Sequence, residues 1–98
     1  MLAHPHSRRA PFVLDLYVNP SAVTSQLAVK NLKRVCEEHL QGRYDLKVIN
    51  IHTNAGLART HQIVAVPTLI KRCPAPMSRL VGDMSNVDGV LRGLDLQL

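Results

Sequence analysis

Two cysteines, five histidines and a scatter of acids and bases are the residues of this chain with chemistry to offer. Disulfide exchange requires a thiolate, which proteins generate at helix N-termini or in Cys-x-x-Cys pairs. Cys36 and Cys73 show no such pairing. Both read as small apolar residues of a reducing cytosol. Metal binding needs ligands gathered at short spacing. His39, His52 and His61 share no ligand spacing, and His4 and His6 sit in a polar leader, so no metal or other cofactor is expected. Basic residues remain as candidates. Lys47, Lys71, Arg72 and Arg79 read either as a patch for an acidic partner surface or as charges on solvated strand edges that deter aggregation. Asp15 interrupts an apolar run and reads as facing water with residues 13 and 17 rather than as a buried acid. Tyr17 and Tyr44 read as packing residues with a wet hydroxyl end.

Ninety-eight residues make one domain, too short for a core plus a separate catalytic subdomain. The division expected is a flexible polar leader over residues 1–11 and a single domain over residues 12–98. Arg8 and Arg9 belong to the leader, so residues 12–98 carry ten basic and seven acidic side chains, a mild excess spread along the chain. With Phe12, Tyr17 and Tyr44 its only aromatics, the chain lacks stacking platforms for single-stranded nucleic acid. A protein surface is the expected partner. No stretch approaches the roughly 20 apolar residues of a membrane span, and the leader has no apolar segment of a secretory signal. The expected compartment is the cytoplasm.

Periodicity supplies the elements that must position these residues. Phe12–Val18 reads as a buried strand, stopped by Asn19 and Pro20. From Ser21 to Leu40 apolar residues recur at helical spacing, and Gln41 and Gly42 close the helix. Leu46–Ile51 is a second strand, joined to the first by a right-handed crossover between parallel neighbours. A short helix over Leu57–Gln62 follows. Pro67 cannot donate to a ladder, so it must begin an edge strand or a bend ahead of the strand Thr68–Cys73. Pro74, Ala75 and Pro76 make a rigid turn into an antiparallel strand, Met77–Val81. Ser85 and Asp88 have capping-box spacing for a last helix running to about Leu96. The order is βαβαββα, an α/β chain of thioredoxin-like type, with Val66-Pro67-Thr68 at the start of the third strand. Thioredoxins carry their redox pair between the first strand and first helix, where this chain has Asn19, Pro20, Ser21 and Ala22. Redox catalysis is therefore not expected.

From Phe12 to Leu96 the chain resembles the KaiB proteins of bacterial circadian clocks. The likeness rests on Leu14-Asp15-Leu16-Tyr17-Val18, Tyr44-Asp45-Leu46-Lys47-Val48-Ile49, Val66-Pro67-Thr68-Leu69, Gly82-Asp83-Met84-Ser85 and Gly93-Leu94-Asp95-Leu96, in order and at the family's spacing. It implies a regulator without catalysis that binds the ATPase KaiC, favours its dephosphorylation, and sequesters or displaces a KaiA-like protein or a clock-associated kinase. Stress-response or adaptor use of the fold, or a module like a sensor kinase's input domain, are the alternatives. It also implies two folds: a ground state of order βαββααβ, commonly a tetramer and sometimes a dimer, and a partner-binding monomer of order βαβαββα. Pro67, Pro74, Pro76, Gly93 and Asp95 fall at positions expected to bear on that switch. Gly93 within a helix and Asp95 near its negative end are expected to weigh against the last helix. Asp45, Lys47, Lys71, Arg72 and Arg79 are the expected partner-binding residues. The chain departs from the family's pattern at Asp45, which replaces a small residue beside Lys47, at Ser78, which replaces one of two arginines, and at Ala75 within a proline run.

Overall fold

A computed structural model gives the fold, and the residues it describes are 11–96. Seven elements follow in the order β1 (Phe12–Val18), α1 (Val23–His39), β2 (Tyr44–Asn50), α2 (Ala55–Thr60), β3 (Thr68–Cys73), β4 (Ser78–Val81) and α3 (Val87–Gly93). They form one four-stranded sheet in the order β2-β1-β3-β4. β1 runs parallel to β2 and antiparallel to β3, and β4 returns antiparallel to β3. This is the mixed α/β, thioredoxin-like arrangement that the hydrophobic periodicity indicates. The expected leader, with His4, His6, Arg8 and Arg9, falls almost wholly on residues 1–10, outside the described residues.

β1 lies inside the sheet with both edges paired, and helices pack on both of its faces. On one side Leu14 and Leu16 pack with Ala28, Leu32, Val35 and Cys36 of α1, Leu69 of β3, and Val90 and Leu91 of α3. Burying each leucine is worth about 1.5–3 kcal/mol, so this cluster dominates the stability of the fold. On the other side Tyr17, Ile49 and Ile70 meet Ala58 of α2 in a smaller cluster. β3 is an inner strand, not an edge. Pro67 stands just before it, within a bend, so no ladder hydrogen bond is lost.

The element ends differ from the periodicity where side chains reach across turns. α1 starts at Val23 because Asn19 folds the chain first: its side chain accepts the Ser21 amide and its carbonyl the Ala22 amide. The helix ends where Gln41 and Gly42 both take positive φ, 48° and 84°. α3 is shorter than the pattern suggests. Asn86, not Ser85, is its N-cap, accepting the Gly89 amide at 3.0 Å, while the Ser85 amide donates to Asp83. At its far end Asp95 is left-handed, φ 60°, and the amides of Asp95 and Leu96 return to the carbonyls of Arg92 and Leu91. This paired return ends the helix at Gly93, three residues before the expected position.

Candidate protein-binding face

Residues directly opposite one another in a sheet share a face. Lys47 stands opposite Asp15, Asp15 opposite Ile70, and Ile70 opposite Arg79, which makes one row across all four strands. Ile70 and Tyr17 place this row on the side of the sheet that carries α2. Asp45, two residues before Lys47, is exposed on that same side of the edge strand β2. Arg72 joins the group through Asp15, its Nη1 lying 3.5 Å from Asp15 Oδ2. Asp45, Lys47, Arg72 and Arg79 are all exposed. α2 covers the part of this face around Tyr17, and the charged row lies beside it.

Three of the four expected cations meet here, and the fourth does not. Lys71 points to the opposite face and is buried, 1% exposed, with its Nζ 2.5 Å from Asp95 Oδ2. It reads as a surface charge in sequence because its partner lies 24 residues further along. Arg79 is also occupied in part: its guanidinium donates to the carbonyls of His61 and Gln62 at 2.8 and 3.0 Å, tying β4 to the end of α2. A cation there also suits the negative end of the helix.

Asp15 overturns the expectation that it faces water. It is 4% exposed, and its Oδ1 has no hydrogen-bond partner among the described residues. The same holds for the Tyr17 hydroxyl, so that tyrosine has no wet end. Burial raises the Tyr17 pKa, the charge of Asp15 raises it further, and Arg72 and Arg79 oppose the shift. The signal was present in the sequence, as the one acid in a strand of apolar residues. Tyr44 donates its hydroxyl to Glu37, which pushes its pKa up to about 12.

The residues considered for other chemistry are dispersed. Cys36 is buried in α1, and burial pushes its thiol up to about 12. Cys73 is half-buried at the end of β3. Among the described residues no three His, Cys, Asp or Glu are grouped to hold a metal ion, and no helix is long and apolar enough to cross a membrane.

A sequence profile of the KaiB domain matches residues 15–96. The circadian clock oscillator protein KaiB of Synechococcus elongatus is 44% identical over 90 residues, covering 92% of this chain and 88% of that protein. The KaiB of Microcystis aeruginosa is 46% identical over 85 residues, 87% and 82% of the two chains. The chain belongs to the KaiB family. Solved structures similar to it include the N-terminal domain of Synechococcus elongatus SasA, with TM-score 0.74 at 23% identity over 99% of this chain and 95% of that one. Chloroplastic thioredoxin z aligns with TM-score 0.69 at 19% identity, over 91% and 82%. These two likenesses are of fold.

In this KaiB-family chain Pro67 precedes β3, Pro74 and Pro76 lie in the turn from β3 to β4, and Gly93 and Asp95 lie at the end of α3. The bonds preceding Pro67, Pro74 and Pro76 are cis. Ser78, one of the departures from the family pattern, donates its hydroxyl to the Gly93 carbonyl at 2.6 Å. Gly93 is the last residue of α3 rather than an interior one, and a Cβ there would come within 2.7 Å of Leu80 Cγ. Asp95 lies beyond the helix cap with its charge met by Lys71. The penalties expected of these two residues, an interior glycine and an unmatched charge at the helix end, do not apply in this arrangement.

Proposed function

We propose that this chain is a non-enzymatic clock regulator that binds a KaiC-type ATPase through the charged row beside α2 and favours the ATPase's dephosphorylation. The observation that carries the reading is the convergence of Lys47, Arg72 and Arg79 from three strands onto one sheet face, with Asp45 among them. Membership of the KaiB family supports the choice of partner. The arrangement βαβαββα is the one proposed to bind; a βαββααβ oligomer is proposed as the unbound form, and exchange between them would limit binding by the scarcity of the competent fold. Cytoplasmic location and competition with a KaiA-like protein or a clock kinase belong to the same proposal.

Size-exclusion mixing with the host's KaiC-type hexamer, with and without ATP, tests it directly: co-elution in one nucleotide state is expected. Lys47→Glu should weaken binding and Asp45→Ala strengthen it, because the first reverses an attractive charge and the second removes an opposing one. If neither substitution moves affinity by more than about threefold, roughly 0.6 kcal/mol, the face is wrongly assigned. An insulin-reduction assay should show no activity.

A further inference from the structure

Asp15 is the buried acid at the centre of the charged row. Its cross-strand neighbours are Lys47 on β2 and Ile70 on β3, and Ile70 in turn faces Arg79 on β4. An ion pair built for stability would satisfy both carboxylate oxygens, at charge-assisted separations of about 2.7–2.9 Å. Here the one ion pair is 3.5 Å long, and Oδ1 has no partner among the described residues. A carboxylate held in this way costs stability. What it provides instead is a negative charge within a row that carries Lys47 and Arg79, with Arg72 directly beside it. Arg72 responds to it most directly. Its side chain is 49% exposed, so half of it is free to extend into water, yet its guanidinium lies toward the sheet beside Asp15. Asp15 thus sets both the pose of Arg72 and the net charge that a docking partner meets.

We infer that Asp15 is a specificity-determining residue of the partner face, a buried counter-ion that holds Arg72 against the sheet. With Arg72 held, Lys47 and Arg79 carry the attraction. The face then fits a partner surface of mixed charge better than a uniformly acidic one. The inference deepens the proposed function and rests on the charged row being the docking surface. Asp15 acts through Arg72 and the field it imposes, since the residue itself is only 4% exposed.

The test replaces the charge without changing the shape. With Asp15→Asn, the association rate with an ATP-loaded KaiC-type hexamer should rise about two- to fivefold at low salt, with steeper salt dependence, as expected when a rim charge changes. The gain should vanish in the Asp15→Asn, Arg72→Gln double variant, because Arg72 is the group released. A second arm needs no partner: side-chain 15N relaxation should show the Arg72 Nε ordered in the parent and mobile in Asp15→Asn. An unchanged association rate, or a gain that survives Arg72→Gln, overturns the specificity role. Equal Arg72 mobility in the two proteins overturns the positioning. A parent protein that does not bind the hexamer in any nucleotide state defeats the docking reading, and the specificity role with it, while the relaxation arm still judges whether Asp15 holds Arg72.

Discussion

Replacing Asp15 by valine should stabilise this fold. Three contributions decide the sign. Removing a buried carboxylate with one oxygen unpaired relieves a desolvation cost of about 1–3 kcal/mol, and the Arg72 left behind is not a buried charge because its side chain is half exposed. Valine also suits a strand covered on both faces, within a propensity range of about 1 kcal/mol. Against these stands the lost attraction to Arg72, worth about 0.2–1 kcal/mol for a pair with one exposed partner. Arg72 itself loses little, being half exposed and able to extend into water. The net expectation is a gain of about 1–3 kcal/mol, which in a domain of this size raises Tm by about 4–8 °C per kcal/mol. Urea unfolding followed by far-ultraviolet circular dichroism measures it, with the slope m required to stay constant so that the change lies in the folded state. The same variant should lower the ionisation pH of Tyr17, since the charge of Asp15 is one cause of its raised pKa, while burial keeps part of the shift. Absorbance at the phenolate band reads this. A variant less stable than the parent would mean that the Asp15 oxygens are well satisfied, and would refute the reasoning.

Gly93→Ala should destabilise this arrangement, because the new methyl must displace Leu80, an overpacking cost of about 1–3 kcal/mol against a helix-propensity gain of at most about 1 kcal/mol. Leu80→Ala should recover part of the loss in a double-mutant cycle, and additive effects would disprove the contact. Stability should also fall in alkali. The Cys36 pKa is raised from 9.0 to about 12, so the protonated thiol's contribution is complete below pH 9 and is lost as pH climbs toward 12, at up to about 1.4 kcal/mol per pH unit. Tyr44, raised from 10.0 to about 12 by its bond to Glu37, acts in the same direction at higher pH. Denaturation midpoints under reducing conditions that stay flat from pH 9 to 11 would contradict this for Cys36.

Local pattern was enough for several features. β1 and β3 begin and end where alternation and the flanking prolines place them, because strand period and proline's missing donor act within a few residues. Asp45 and Lys47 share a face for the equally local reason that they are two residues apart in a strand. The order βαβαββα and the resemblance to KaiB proteins also came from the sequence.

Other features depended on contacts far along the chain. Alternation marks which residues of β1 share a face but cannot say that the second face will also be covered, by α2 in the case of Tyr17, so Asp15 and Tyr17 read as wet when they are buried. Lys71 reads as a surface cation until the left-handed turn after α3 brings Asp95 to it. Helix periodicity carries Ser85 to Leu96 as one helix, while the Asn86 cap and the Asp95 turn shorten it at both ends. In each case the deciding energy is desolvation of a polar or charged group. That energy depends on which distant element lies above the group, and only the tertiary structure sets it.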